Sequence, residues 1–469
     1  MGRCQRTAAR RTCARACGRF ASRCLVSDEA PAEGRVRHLI RLWRTSRKSL
    51  IGASFVVAQP LLLNAISIPA TAYIIASLGP LGYGEWAVAL SLIASTAVLV
   101  GLGARSAFVR GVSREPSTAP TAFAEQLGLR IFLGAFAGAV SVAACLALGY
   151  RGVVFQCTVL LAVGGIFSAV AQVVADLLIA FERLPSMSII NAIGGLSLTV
   201  ASVFAIWLGV GPIGLAVSYL FGPVLSAVLS LILVQRQLFP VRVTWTPRRW
   251  WTLLTESKIF TGQLLVYGLD TQAANLLVPK LVDVTSYGYF AAGTLVPTRL
   301  MVIPDGLNMA FYPVLVRNHA EGHEAFRRSV KRYCLLAGVV GTLAAVPVFF
   351  LAGPIARLLF PEHPEVCRTM IQLTIWWVPL VALYTAATNS LNAAFREGAE
   401  TRVAFAAMIV SMLVTVVLVA TWQLTGAGIA LLSKGFINLA FRTPLFFAAM
   451  KSPDAGSAQE LKPAAGVQP

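Results

Sequence analysis

The chain has 469 residues, 57% hydrophobic and only 13% charged. A soluble domain carries roughly a quarter of its residues charged, so the outer surface of this one has lipid as its solvent, and soluble classes are excluded. The formal net charge of +19 falls in clusters between apolar runs, a pattern that orients a membrane protein, suits anionic headgroups and excludes nucleic-acid binding.

Residues 1–48 hold thirteen Arg or Lys against three acids and no apolar run. They read as a basic, disordered tail, too long for the charged start of a secretory signal. Their Ala/Arg/Gly-rich style suits a high-GC bacterial genome, with a start near Val36 as an expectation. Cys4, Cys13, Cys17 and Cys24 lack the paired C-x2-C spacing of a zinc site. Cys145, Cys157, Cys334 and Cys367 lie in or beside apolar runs and read as small buried hydrophobes.

A spanning helix needs about 20 mostly apolar residues. Such runs fall at 50–78, 85–108, 124–148, 153–180, 186–208 and 211–235. After a polar linker they resume at 257–280, 285–312, 331–352, 368–394, 402–422 and 426–449. Short alternating segments of a β-barrel do not occur. The predicted fold is all-α and polytopic, with about twelve transmembrane helices. It divides into a tail 1–48, a six-helix bundle 49–240, a linker 241–256, a second six-helix bundle 257–450 and a tail 451–469.

Loop charge sets the orientation. The even-numbered connections carry Arg105, Arg110, Arg114, Arg183, Arg236, Arg242, Arg248, Arg249, Lys258, Arg317, Arg327, Arg328, Lys331, Arg332, Arg396 and Arg402. The odd-numbered ones carry Arg151, Lys280, Arg357 and Arg368. Positive charge stays on the cytoplasmic side, so both termini are expected in the cytoplasm. A miscounted helix would scramble this alternation.

An internal repeat runs through the chain. Tyr83-Gly84-Glu85-Trp86-Ala87 returns as Tyr287-Gly288-Tyr289-Phe290-Ala291, Ala180-Phe181-Glu182-Arg183 as Ala394-Phe395-Arg396-Glu397, and Gly214-Leu215-Ala216 as Gly428-Ile429-Ala430. The offsets are 204, 214 and 214. Six helices is an even number, so both halves enter from the same side. This parallel repeat is a recurrent transporter plan with the substrate path between the halves.

Leu78-Gly79-Pro80-Leu81-Gly82-Tyr83-Gly84-Glu85-Trp86, then Leu102-Gly103 with Arg110, resemble the first half of oligosaccharide flippases of the O-antigen, Wzx-type group. Ile355-Ala356-Arg357-Leu358-Leu359-Phe360 and Gly426-Ala427-Gly428-Ile429-Ala430 resemble that family's second half. The resemblance covers residues 45–450 and extends to a superfamily that includes multidrug-and-toxin extrusion transporters and the lipid II flippase. It implies two six-helix bundles around a central cavity in a bacterial inner membrane. It also implies movement of an undecaprenyl-pyrophosphate-linked oligosaccharide from the cytoplasmic to the periplasmic leaflet. Membrane lipids and polysaccharide polymerase or assembly proteins are the further partners expected.

The sequence carries no G-x-x-x-x-G-K-[ST] loop for a nucleotide, so the chain is not a self-contained ATPase. No cofactor is expected. His319 and His323 lie four apart, but a zinc site wants a third ligand and none is near, so they read as a solvated loop. An enzyme of polysaccharide polymerisation or ligation would need a large outer loop. The longest outer connection, 353–367, is too short, so the chain reads as a non-enzyme.

The informative positions are charges inside spans. A charge at mid-bilayer costs about 2.5–3.5 kcal/mol on insertion scales and must face protein or water. Asp270 falls in the seventh run, Arg299 and Asp305 in the eighth, and Lys434 and Arg442 in the twelfth. Arg299 is roughly 21 Å into its helix at 1.5 Å per residue, too deep to snorkel. Arg130 and Asp176 lie nearer helix ends, where snorkelling is cheaper. At the repeat offsets Arg299 maps onto Ser95, Asp270 onto Ile66 and Lys434 onto Leu220, so the deep charges are not part of the duplicated scaffold.

Arg299 and Lys434 are therefore predicted to hold the pyrophosphate, one through a planar fork and the other as a point charge. Arg442, nearer the cytoplasm, is predicted to meet it first. The competing reading is a structural ion pair, such as Arg299 with Asp270. Asp270 and Asp305 are candidate coupling carboxylates if burial raises their pKa, or else neutralise the cations. Pro60 and Pro69, and Pro297 and Pro304 around Arg299, allow bending. Trp376, Trp377 and Tyr384 read as packing. The rival transport reading is a multidrug exporter of the related fold, which for cationic cargo would want an acidic cavity.

Overall fold

The computed structural model describes residues 32–101, 104–256 and 258–451, nearly all of them helical. Two compact units are distinguished, Met1–Val56 and Val57–Pro469, and the side-chain geometry below belongs to the second. Helix α1 covers Ala32–Val100 and is kinked at Gly79, where φ is 67°. It begins inside the segment expected to be disordered, where Val36, Leu39, Ile40 and Trp43 stand at helical spacing. The four tail cysteines and the tail from 452 onward lie outside the described residues.

A short helix α2 (Ala104–Arg114) precedes α3 (Ala119–Ala147), α4 (Val153–Ala180), α5 (Leu184–Trp207) and α6 (Gly211–Gln237). The linker contains α7 (Pro247–Glu256) and leads into α8 (Lys258–Leu281). Then come α9 (Val284–Leu300), α10 (Val302–Glu321), α11 (His323–Leu359), α12 (Pro364–Thr374), α13 (Trp377–Ala393) and α14 (Glu397–Lys451). Helix α14 is kinked at Gln423.

Among the described residues, eight stretches are long and apolar enough to cross a membrane. The kinked helices α1 and α14 each make two passes. The pairs α9–α10 and α12–α13 are each one pass broken near its middle. Neither α8 nor the α9–α10 pair is among those eight; added to the ten passes the eight supply, they bring the total to twelve. In the first half α4 packs on α3 and α6, and α6 on α5. In the second, α13 packs on α11 and α14, and α14 on α8.

The two halves share an apolar core at the end that carries the odd-numbered connections. Ile75, Tyr83, Val88, Tyr287, Phe290 and Cys367 are buried together there. The repeated Tyr-Gly motifs meet at its centre. A Cβ on Gly84 would lie 2.2 Å from the carbonyl oxygen of Val284, and one on Gly288 2.0 Å from that of Pro80. Only glycine permits that approach. Beside it the Tyr150 hydroxyl donates to the carbonyl of Pro279 at 3.0 Å, and Lys280 donates to the carbonyl of Leu148.

The second repeated motif needs a correction of one residue. After α4, Glu182 takes φ 56°, and the amides of Glu182 and Arg183 bond to the carbonyls of Ile179 and Leu178. After α13, Phe395 takes φ 55°, and the amides of Phe395 and Arg396 bond to Asn392 and Leu391. The two turns are the same helix-ending hydrogen-bond pattern at an offset of 213 rather than 214. The letters Ala-Phe align one residue away from the backbone, because the turn is fixed by its hydrogen bonds and tolerates either side chain. Lys434 lies beside the third motif, whose offset of 214 is separate from this turn, so it still maps onto Leu220.

Candidate functional site

The eighth pass breaks at Met301, between Pro297 and Pro304. Proline supplies no N–H to the carbonyl four residues back. For Pro304 that carbonyl belongs to Leu300, the last residue of α9. For Pro297 it belongs to Gly293, which instead accepts from the Thr374 hydroxyl at 3.3 Å. Arg299 stands in the last turn of α9, just before the break, where a cation suits the unpaired carbonyls of a helix end. It is half-buried.

Arg299 reaches across to the first half and donates to Asn64 Oδ1 at 2.9 Å. Asn64 lies on α1 between Pro60 and Pro69, about 22 Å before the kink at Gly79 by helical rise. Both residues are therefore near the middle of their passes. Arg299 also lies within electrostatic reach of the buried Tyr83. Among the described residues no carboxylate pairs with it. The alternative pairing of Arg299 with Asp270 is not what forms.

Asp270 pairs with Lys434 instead. Lys434 is 3% exposed, its ammonium lies 3.3 Å from Asp270 Oδ2, and it donates to the Asp270 backbone carbonyl. The Ser411 hydroxyl donates to Asp270 Oδ1 at 3.4 Å. Passes seven, eleven and twelve thus converge on one ion pair. Two turns further along α14, Arg442 is 1% exposed and pairs with Glu400 through Nε at 3.0 Å. Its Nε also donates to Thr388 Oγ1 at 2.9 Å, and one terminal nitrogen to Asn438 Oδ1 at 2.6 Å. The Tyr384 ring lies under the guanidinium at 5.5 Å, and the Tyr267 hydroxyl donates to Glu400 Oε2. Asn438 joins the two pairs by donating to the Lys434 carbonyl at 3.0 Å.

Glu400 was invisible to loop counting, which leaves it in a short basic connection. A helical-phase reading finds it, since Glu400, Ala404, Ala407 and Ser411 share one buried face of α14. Asp305 is exposed in the first turn of α10 and stands apart from both pairs. His319 packs against Phe326, while His323 shares a hydrogen bond with the Met450 carbonyl at 3.0 Å. Trp376 packs against Phe349 at the break between α12 and α13.

Among the described residues the first half has one buried charge cluster, at the end with the even-numbered connections. Arg130 and Asp176 are both buried and meet at 3.5 Å. The exposed Arg105 closes on the other Asp176 oxygen at 2.9 Å, and Arg130 donates to Val100 at the end of the second pass. These two residues do not snorkel. Helix packing surrounds them: Arg130 caps the end of the second pass, and Asp176 balances Arg130 and Arg105. Deeper in this half a cavity of about 200 Å³ is lined by Thr96, Ser168, Gln172 and Tyr219 among small apolar residues, with no charge.

A family model described as polysaccharide biosynthesis protein matches residues 56–319. No curated protein matches the chain in sequence. In fold it is similar to an inward-facing multidrug resistance MATE family transporter of the MOP superfamily, at 14% identity and a TM-score of 0.63, covering 84% of this chain and 99% of that one. It is similar also to a MOP superfamily transporter from Pyrococcus furiosus, at 14% identity and a TM-score of 0.59, covering 86% and 96%. The lipid II flippase MurJ in an inward closed conformation matches at 11% identity and a TM-score of 0.52, covering 86% and 88%. Identities this low carry the fold, and leave the cargo to be argued from the residues.

Proposed function

The chain belongs to the polysaccharide biosynthesis protein family, and from that premise we propose that it flips a lipid-linked oligosaccharide. It is a multi-pass membrane protein with the MATE-like fold of MOP-type transporters. The cargo in this reading hangs on undecaprenyl pyrophosphate and moves from the cytoplasmic to the periplasmic leaflet of a bacterial inner membrane. The cationic, even-numbered connections and both termini face the cytoplasm. The halves, residues 49–240 and 257–450, move against each other about the linker 241–256, and no nucleotide is spent.

One observation carries the cargo assignment. Of the three deep cations in the second half, Lys434 and Arg442 are spent on carboxylates, whereas Arg299 faces a neutral amide on the opposite half. A guanidinium held at mid-pass by a neutral partner keeps its charge available, and its planar fork fits a pyrophosphate. We therefore assign Arg299 to direct contact, and Lys434 and Arg442 to holding the second half together in this conformation. Asp270 serves as the counter-charge of Lys434, and coupling through it requires that pair to open. The shared core at the opposite end supports a state open toward the cytoplasm, ready for a headgroup from that leaflet.

The test is Arg299→Ala with membrane abundance held equal. Surface polysaccharide is expected to fall at least about tenfold, the cost of one charged hydrogen-bonding group, with partial recovery in Arg299→Lys. Unchanged output would remove the residue from the mechanism. A multidrug exporter would instead leave polysaccharide untouched and lose resistance to organic cations.

A further inference from the structure

The linker between the halves is short, yet it is not a free tether. The Thr244 amide donates to the Ala124 carbonyl on α3 at 3.1 Å. The two backbones lie so close there that a Cβ on Gly128 would come within 2.2 Å of the Thr244 carbonyl oxygen. Arg249 pairs with Glu125 at 3.0 Å. Trp250 is buried with Leu129 and Leu133 and stacks on Phe132 at 5.8 Å.

From this seat two indoles project. Trp245 is 60% exposed and Trp251 71% exposed, and Trp245 leans on Trp250 at 5.5 Å. Below them the exposed rings of Phe132 and Phe136 stack at 6.4 Å. That face of α3 is turned away from Gly134 and Gly138, which approach α4. The aromatic surface is thus continuous with a lipid-facing stripe of the third pass. Arg242, Arg248 and Arg249 are exposed around it, and no acid occurs from Leu238 to Thr255. The level matches a membrane boundary, because the Arg130–Asp176 pair on the same turn of α3 ends in the exposed Arg105.

We propose that this linker, residues 242–251, is a docking site for anionic phospholipid headgroups of the adjoining leaflet. Trp245 and Trp251 sink to the headgroup level, as amphipathic rings do at membrane boundaries, while Arg242 and Arg248 meet the phosphates. A soluble acidic protein would suit the arginines but would leave Phe132 and Phe136 uncovered. Since the linker is fastened to α3, lipid that holds it also holds the first half, and the second half is the part left to move.

The experiment uses the full chain reconstituted in phosphatidylcholine vesicles, with either brominated phosphatidylglycerol or brominated phosphatidylcholine as the minor lipid. Subtracting the emission of a Trp245→Phe/Trp251→Phe variant isolates the two indoles. Quenching of that difference by the anionic lipid is expected to exceed quenching by the neutral one several-fold, from the local enrichment two arginines produce. Arg242→Gln/Arg248→Gln is expected to remove the preference and leave neutral-lipid quenching in place. Equal quenching by both lipids in the wild type would overturn the proposal. So would no quenching by either, the result if the two indoles stand in water away from the bilayer. The exposed positions make misfolding easy to detect by the melting temperature, and the readout needs no transport, so it stands or falls apart from the flippase reading.

Discussion

The two halves are alike in backbone and unlike in charge. The first half keeps its buried charge at one end, as the Arg130–Asp176–Arg105 cluster, and its internal cavity is neutral. The second carries charge through its middle, as Asp270–Lys434, Glu400–Arg442 and Arg299, which meets the neutral Asn64. The scaffold is repeated by close helix approaches and helix-ending turns, which ask only for small residues and backbone hydrogen bonds. The second half's mid-pass charges Arg299, Asp270 and Lys434 meet Ser95, Ile66 and Leu220 at the repeat offsets, so the duplicated scaffold does not account for them.

That contrast can be broken most severely at Arg442. Arg442→Met leaves Glu400 buried without its cation, an expected loss of about 3–5 kcal/mol. Membrane abundance and melting temperature should fall sharply. The double variant Glu400→Gln/Arg442→Met should regain much of the loss, because the pair rather than either charge is what folding needs. An undiminished single variant would show that the pair does not hold the second half together.

A smaller effect tests the symmetric part. Gly288→Ala forces a Cβ against the Pro80 carbonyl, with an overpacking cost of about 1–3 kcal/mol. It should loosen the shared core, so that the buried Cys367 reacts with a maleimide several-fold faster, read by mass spectrometry of the labelled peptide. Unaltered labelling would mean that the Gly84–Gly288 crossing does not close that end.

Much of this was legible in the residues. Apolar run lengths and the alternation of loop arginines gave the twelve passes, and the Tyr-Gly motifs marked the two helices that meet. The deep cations were visible as costly charges. Their partners were not, because Lys434 finds Asp270 across passes more than a hundred residues apart in sequence, and run lengths say nothing about rotation of one helix against another. Glu400 hid in a loop that proved to be the first turn of α14. Arg130 and Asp176 looked like helix-end charges until packing enclosed them. The one-residue slip in the second repeat came from trusting letters where hydrogen bonds set the register.

The central claim is that Arg299 keeps its charge for a pyrophosphate while Lys434 and Arg442 do not. It is tested most directly by binding of undecaprenyl pyrophosphate to the purified protein in nanodiscs, compared between wild type, Arg299→Ala and Lys434→Met/Asp270→Asn. The account predicts a fall in affinity of about 10- to 100-fold for Arg299→Ala and little change for the paired variant. Equal affinities for wild type and Arg299→Ala, or a loss confined to the Lys434 variant, would contradict it.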